Sequence, residues 1–218
     1  MNGTAIITGA SQRVGACIAD IIAGYDFNIL VHYNTSEHYA CDIQRKIQDK
    51  YSVKCDIVKG DFTRISDIEN LMIYAKDHCP GARVLVNNAA VFLNSSFEDL
   101  SISNIELLYS VNLQAPLILS SLFTKFFSRG SIINMCDEMV FALNSDRYFY
   151  YVLFKKMLKE LTTMLAYKLK PVINVNAICP GRDFFPIDGS MKGEYLSKLK
   201  LHLKRFLFGN ITNNFVII

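Results

Sequence analysis

Residues 4–15 read Thr4-Ala5-Ile6-Ile7-Thr8-Gly9-Ala10-Ser11-Gln12-Arg13-Val14-Gly15, and this stretch decides the fold. A short apolar run, Thr4 to Ile7, passes through a glycine turn into an apolar-periodic helix beginning at Val14. A strand that turns through glycine into a helix is suited to receiving a phosphate. The helix N-terminus offers unpaired N–H groups and a partial positive charge, and glycine lets the backbone approach the ligand closely. Arg13 stands where such turns often carry another glycine, and it places a fixed cation beside the expected phosphate.

The same alternation runs along the chain. Strand-like runs are expected at Thr4–Thr8, Asn28–Tyr33, Val53–Lys59, Arg83–Asn87, Ser131–Cys136, Val172–Ile178 and Asn214–Ile218. Helices are expected at Val14–Gly24, Glu37–Lys50, Ser66–His78, Ser103–Phe127 and Tyr148–Lys170. The early strands are almost continuous Ile, Val and Leu, as strands buried on both faces require. Strands separated by helices make right-handed parallel units. The expectation is one α/β domain spanning 1–218, a doubly wound parallel sheet in the order 3-2-1-4-5-6-7 with helices on both faces. Ligands bind such sheets beyond the carboxyl ends of the strands. The segment from Arg182 to Gly209 mixes basic and apolar residues and reads as a solvated flanking helix with one apolar face on the domain, the alternative being a basic amphipathic helix that touches a membrane surface.

Composition narrows the partners. The 218 residues suit one sizeable domain, and 51% apolar residues fill a core without staples. Twenty-three basic against 20 acidic side chains leave a net charge of +3, which argues against a nucleic-acid surface. Six scattered cysteines with no Cys/His cluster predict reduced thiols, a cytoplasmic setting and no metal site. No apolar run of membrane-spanning length and no signal peptide are read, so no membrane partner is expected.

A second signal is Tyr151-Val152-Leu153-Phe154-Lys155, which puts a phenol and an ammonium on one helix face. A Lys cation near a phenol lowers its pKa from about 10, making Tyr151 a proton donor or acceptor near neutrality. With the glycine turn, Asn87-Asn88-Ala89-Ala90, Asn112 in Val-Asn-Leu-Gln-Ala-Pro, and Asn176-Ala177-Ile178-Cys179-Pro180-Gly181, the order of motifs resembles the short-chain dehydrogenase/reductase family over roughly residues 4–181.

That resemblance implies an NADPH-dependent oxidoreductase. Thr8, Gly9, Ser11, Arg13, Val14 and Gly15 would hold the cofactor pyrophosphate, and His32, Tyr33 and Asn34 would lie by its adenosine phosphate. Asp61 and Phe62 would meet adenine, Asn88, Ala89 and Ala90 would support the adenosine side, and Pro180 and Gly181 would meet the nicotinamide. Tyr151 and Lys155 would be the catalytic pair, with Asn112 organising a proton relay. The second strand ends without an acidic residue, which favours NADPH over NADH.

Two departures from the general pattern resemble the pteridine reductase branch. Arg13 replaces the middle glycine, and Asn134-Met135-Cys136-Asp137-Glu138 offers the Asp137 carboxylate where a catalytic serine usually stands. Phe92 would stack on a pterin ring, with Asp137 and Tyr151 also touching the substrate. The expected reaction is hydride transfer to a pterin C=N bond with Tyr151 as proton donor. The alternatives are a carbonyl reductase of the same family, acting for example on a 3-oxoacyl thioester, and a catalytically weak cofactor-binding relative. The resemblance also implies a homo-oligomer, a dimer or tetramer, built through the two longest helices. The region after Gly181 reads as short, with a reduced substrate-side segment at about 182–209.

Overall fold

In a computed structural model, described for residues 3–98, 101–142, 146–181, 193–209 and 211–217, seven parallel strands form one sheet in the order β3-β2-β1-β4-β5-β6-β7. They are β1 (Thr4–Ile7), β2 (Asn28–Tyr33), β3 (Cys55–Lys59), β4 (Ala82–Asn87), β5 (Gly130–Met135), β6 (Ile173–Cys179) and β7 (Phe215–Ile217). The helices are α1 (Arg13–Ala23), α2 (Glu37–Lys50), α3 (Ile65–His78), α4 (Ile102–Tyr109), α5 (Ala115–Phe126), α6 (Phe149–Leu169) and α7 (Gly193–Phe208). The expected architecture and strand order stand. Most boundaries move by one residue, and the largest shift is β3, which begins at Cys55 because Val53 and Lys54 are spent on the turn after α2.

The central strands are buried on both faces. Ile6 pairs in register with Leu30 and Leu85. Successive side chains then feed opposite cores. Ile7, Val31 and Ile133 join Ile18, Ile22 and Leu203 on one face, while Ile6, Leu30, Leu85 and Ile132 join Leu71 and Phe123 on the other. α7 buries Leu199, Leu203 and Phe206, at i, i+4 and i+7, on the first face, so the flanking helix has its one apolar side on the domain. Residues 182–192 lie outside the described residues, and so does the expected shortening just after Gly181.

The helix expected at Ser103–Phe127 is continuous but not uniform. Between α4 and α5, Ser110–Gln114 adopts a π-helical turn. Such turns concentrate at functional places, because the extra residue re-aims a side chain. Here it faces Asn112 to the β4–α4 loop, where its Oδ1 accepts from Val91 N–H at 2.9 Å and its Nδ2 donates to Val91 C=O at 2.9 Å. The stretch Ile102–Phe126 is also long and apolar enough to cross a membrane by length and composition, contrary to the sequence reading; half of its most apolar window is buried in the domain.

α6 carries its buried stripe at Tyr151, Lys155, Leu158, Thr162 and Ala166. The Tyr/Lys pair therefore continues the seam that docks the helix on the sheet, and its orientation is fixed by core packing.

Asn112 is fully buried and bonds both polar groups of one backbone unit. Asn112→Ala leaves the half-buried Val91 N–H and C=O without their side-chain partner at once. Urea unfolding should show a loss of about 2–3 kcal/mol relative to the parent chain; a loss under 0.5 kcal/mol would show that the Val91 loop needs no such anchor.

Candidate active site

At the carboxyl ends of the strands lies a cleft of about 1280 Å³. Of the residues expected in the site, all line this cleft except Thr8 and Asn112. Those two are buried behind its wall, and their part is to brace.

The bracing begins at the end of β1. Thr8 Oγ1 donates to Val86 C=O at 3.3 Å and accepts from the Asn88 and Ala89 N–H groups, both at 2.9 Å. Asn88 Nδ2 donates in return to the carbonyls of Thr8 and Gly9, each at 2.9 Å. The Asn88 Nδ2 group thus serves the turn. This packing demands glycine. A Cβ on Gly15 would stand 2.3 Å from the Gly9 carbonyl oxygen and 2.6 Å from Asn88 Nδ2. Gly9 has φ of +59° and a Cβ there would meet Ala89 Cα at 2.9 Å. Arg13 has φ of +52°, a conformation glycine takes freely and a side chain takes at a cost of about 1 kcal/mol. A strained arginine at a phosphate turn fits a site where its charge is needed.

His32 holds the turn from below. Its Nδ1 accepts from Gly9 N–H at 3.2 Å, which leaves Nε2 to donate to Gly60 C=O at 3.0 Å. The ring stacks on Phe62 with centroids 4.0 Å apart. Both nitrogens are spent within the protein, so His32 positions the backbone and does not itself grip an adenosine phosphate. Burial lowers its pKa to about 4 and keeps it neutral. At the β2 end, Ser11 and Ser36 share a hydrogen bond at 2.7 Å. The acids lining the cleft are Asp61, Asp137 and Asp146, none of them at the end of β2. Asp61 Oδ1 accepts from Thr63 N–H and Oγ1, fixing the loop at the end of β3.

The chemistry gathers at the other end. Tyr151 donates its hydroxyl to Asp137 Oδ2 at 3.0 Å, and Asp137 Oδ1 accepts from Met139 N–H at 2.9 Å, capping a short 3₁₀ turn at Glu138–Phe141. Among Cys136, Asp137 and Glu138, it is Asp137 that bonds the phenol. Lys155 Nζ donates to Met135 C=O at 2.7 Å and stands 5.8 Å from the Tyr151 ring centre. The expectation that Lys155 acidifies Tyr151 is overturned. Burial and the Asp137 carboxylate push the phenol well above its ordinary value, so it holds its proton at neutral pH. Burial also pulls the Lys155 ammonium below its ordinary value. Asn112, expected in a proton relay, has its whole side-chain amide on Val91.

Phe92 is 54% exposed and lies edge-on to Tyr151, centroids 4.7 Å apart at 86°. The sequence reading missed its partner. Tyr148 stacks on Phe92 at 4.4 Å, and Arg147 lies over the Tyr148 ring at 5.6 Å. A one-residue parallel bridge, Ser95 with Tyr148, ties the Phe92 loop to the start of α6, through Ser95 N–H to Arg147 C=O at 2.9 Å and Phe149 N–H to Ser95 C=O at 2.8 Å. Nothing local in the sequence separates Tyr148 from Tyr150; the bridge does.

A phosphate-ready glycine turn and a buried Tyr/Lys pair facing one crevice define a dinucleotide-dependent oxidoreductase architecture. The chain belongs to the short chain dehydrogenase family, whose model matches residues 3–191. It is 26% identical to a FolM alternative dihydrofolate reductase 1 from Brucella suis solved in complex with NADP, with a TM-score of 0.88 over 99% of this chain and 93% of that one. It is 28% identical over 189 residues to a short-chain type dehydrogenase/reductase of Picea abies, covering 81% of this chain and 69% of the relative. It is also 28% identical over 190 residues to a diacetyl reductase [(S)-acetoin forming] of Staphylococcus epidermidis, covering 83% and 71%.

The histidine gives a pH signature. Folded His32 titrates near 4 and unfolded histidine near 6.5, so between these values the unfolded chain binds more protons. Stability contributed by neutral His32 is complete above about pH 6.5 and falls by up to about 1.4 kcal/mol per pH unit towards pH 4. Denaturant unfolding from pH 7 to 4.5 should show a shallower loss for His32→Gln than for the parent; equal slopes would remove His32 as the cause.

Proposed function

We propose that this chain is an NADPH-dependent reductase of a pterin-type C=N bond. The observation that carries the reading is the 3.0 Å hydrogen bond from Tyr151 to the Asp137 carboxylate. A ketone reductase needs a donor beside the tyrosine to hold the carbonyl oxygen. A carboxylate only accepts, which suits the N–H groups of an amino-substituted heterocycle. Phe92 and Tyr148 supply a flat aromatic wall for such a ring. The likeness to an NADP-bound alternative dihydrofolate reductase supports the same assignment.

The residues fit the cofactor. Gly9 and Gly15 hold the turn tight against Asn88 and Ala89 and line the cleft at the start of α1, with Arg13 beside them. No acid lines the cleft at the end of β2 to repel a 2′-phosphate. NADPH, when bound, supplies the hydride. Tyr151, still protonated at neutral pH, gives its proton to the ring nitrogen as the ring carbon is reduced. The Lys155 ammonium then faces the phenolate and stabilises it. Asp137 accepts from ring N–H groups and keeps the phenol oriented.

The likeness to a diacetyl reductase keeps carbonyl reduction as the second reading. The exposed apolar residues Leu117 on α5 and Leu153, Met157, Met164 and Tyr167 on α6 support a homo-oligomer through these helices, and the six free cysteines support a reducing, cytoplasmic setting.

The test is NADPH oxidation with a dihydropterin, diacetyl and a 3-oxoacyl thioester in parallel. The pterin should turn over fastest, and Tyr151→Phe should lower that rate by about 100-fold or more. Turnover of diacetyl or the thioester alone would transfer the assignment to carbonyl reduction; full activity in Tyr151→Phe would remove the proton donor.

A further inference from the structure

A second cavity, of about 340 Å³, opens at the opposite edge of the sheet, where β4, β5 and β6 begin. Val84, Ser131 and Asn174 stand side by side in register across those strands and all line it. They share the sheet face that α7 covers, because Val84 packs in the same core as Phe206. Along β5 this face continues as Ile133 and Met135, both buried and apolar. Ser131 is the exception. It is 4% exposed, and its hydroxyl has no hydrogen-bond partner among the described residues. A buried hydroxyl in a cavity wall without a partner is a costly arrangement unless something brings it one.

Two further features point to what that is. Arg83 and Arg129 line the same cavity from its exposed side, and neither has a carboxylate partner among the described residues. No acidic residue lines it. The C-terminal end of α7 makes part of the wall, and its negative dipole end explains why cations gather here, but it leaves the guanidinium forks unsaturated. The rest of the wall sets the Asn174 side chain beside apolar residues, among them Val84, Val172 and Leu207. Phe27 and Phe206 are buried at 3% and 2% exposure, and the Phe208 ring stands 6.1 Å from Phe27. A cavity of about 150 Å³ already admits benzene, so there is room for a substituted ring.

We infer that this cavity is a binding site, separate from the catalytic cleft, for a small carboxylate with an apolar ring- or chain-sized body. The two arginines take the carboxylate, Ser131 donates to or accepts from the same polar end, and Phe27, Phe206 and Phe208 hold the body. Inorganic phosphate lacks the apolar half and a neutral amide lacks the charge, so both should bind more weakly. The site stands independently of which substrate the catalytic cleft reduces.

The probe is benzoate, titrated calorimetrically into the full chain, with benzamide and inorganic phosphate as comparisons. Benzoate should bind saturably at one site. The double variant Arg83→Gln/Arg129→Gln should weaken it about tenfold or more, and Ser131→Ala about threefold, with melting temperatures confirming that each variant is folded. Benzamide and phosphate should each bind about tenfold more weakly than benzoate. No saturable benzoate binding, or an affinity untouched by the double arginine variant, would overturn the site. Phosphate binding as tight as benzoate would overturn the assigned ligand class.

Discussion

Thr8 Oγ1 and the Asn88 amide tie the ends of β1 and β4 into a single knot, and the rest of the site is arranged around it. The two strands are neighbours in the sheet but about 80 residues apart in the chain. Four hydrogen bonds of 2.9 Å, running both ways between Thr8–Gly9 and Asn88–Ala89, leave the turn no freedom to open. That closeness is why Gly9 and Gly15 carry no side chain. Arg13, two residues before Gly15, holds a backbone conformation that arginine rarely adopts. His32 completes the hold from the neighbouring strand, and its neutrality follows from burial between Gly9, Gly60 and Phe62. The cofactor end of the cleft is thus built from backbone positioned by buried polar side chains, which is the form of preorganisation that anion binding at a helix N-terminus rewards.

The reacting end depends on a different balance. In the resting site burial and the Asp137 carboxylate keep Tyr151 protonated, while the Lys155 ammonium is held on the Met135 carbonyl. The Phe92–Tyr148 wall is held by the bridge between Ser95 and Tyr148, which ties the Phe92 loop to the start of α6 beside Tyr151.

The fold was legible because the information is local. Buried parallel strands must be runs such as Ile6-Ile7 or Leu30-Val31, and glycine turns and helix stripes mark the ends. Tyr151 and Lys155 were legible as a pair because i and i+4 share a face. Four things were not. The π turn around Asn112 leaves no mark in a stretch that is apolar almost throughout. Thr8, Asn88 and Asn112 sit at site positions, yet whether a polar side chain grips a ligand or braces the wall depends on contacts made across tens of residues. The direction of the Tyr151 shift needed the location of Asp137, 14 residues earlier in the chain, and Tyr148 became distinct from its neighbours only through a bridge to Ser95.

The central claim is that the Thr8–Asn88 knot makes the cofactor cradle. The direct test is a fluorescence titration of NADPH against the parent chain and Asn88→Ala, with circular dichroism reporting the fold. The account predicts that Asn88→Ala keeps its helical and sheet signal while its NADPH affinity falls at least about tenfold. A folded Asn88→Ala that binds NADPH as tightly as the parent would contradict it.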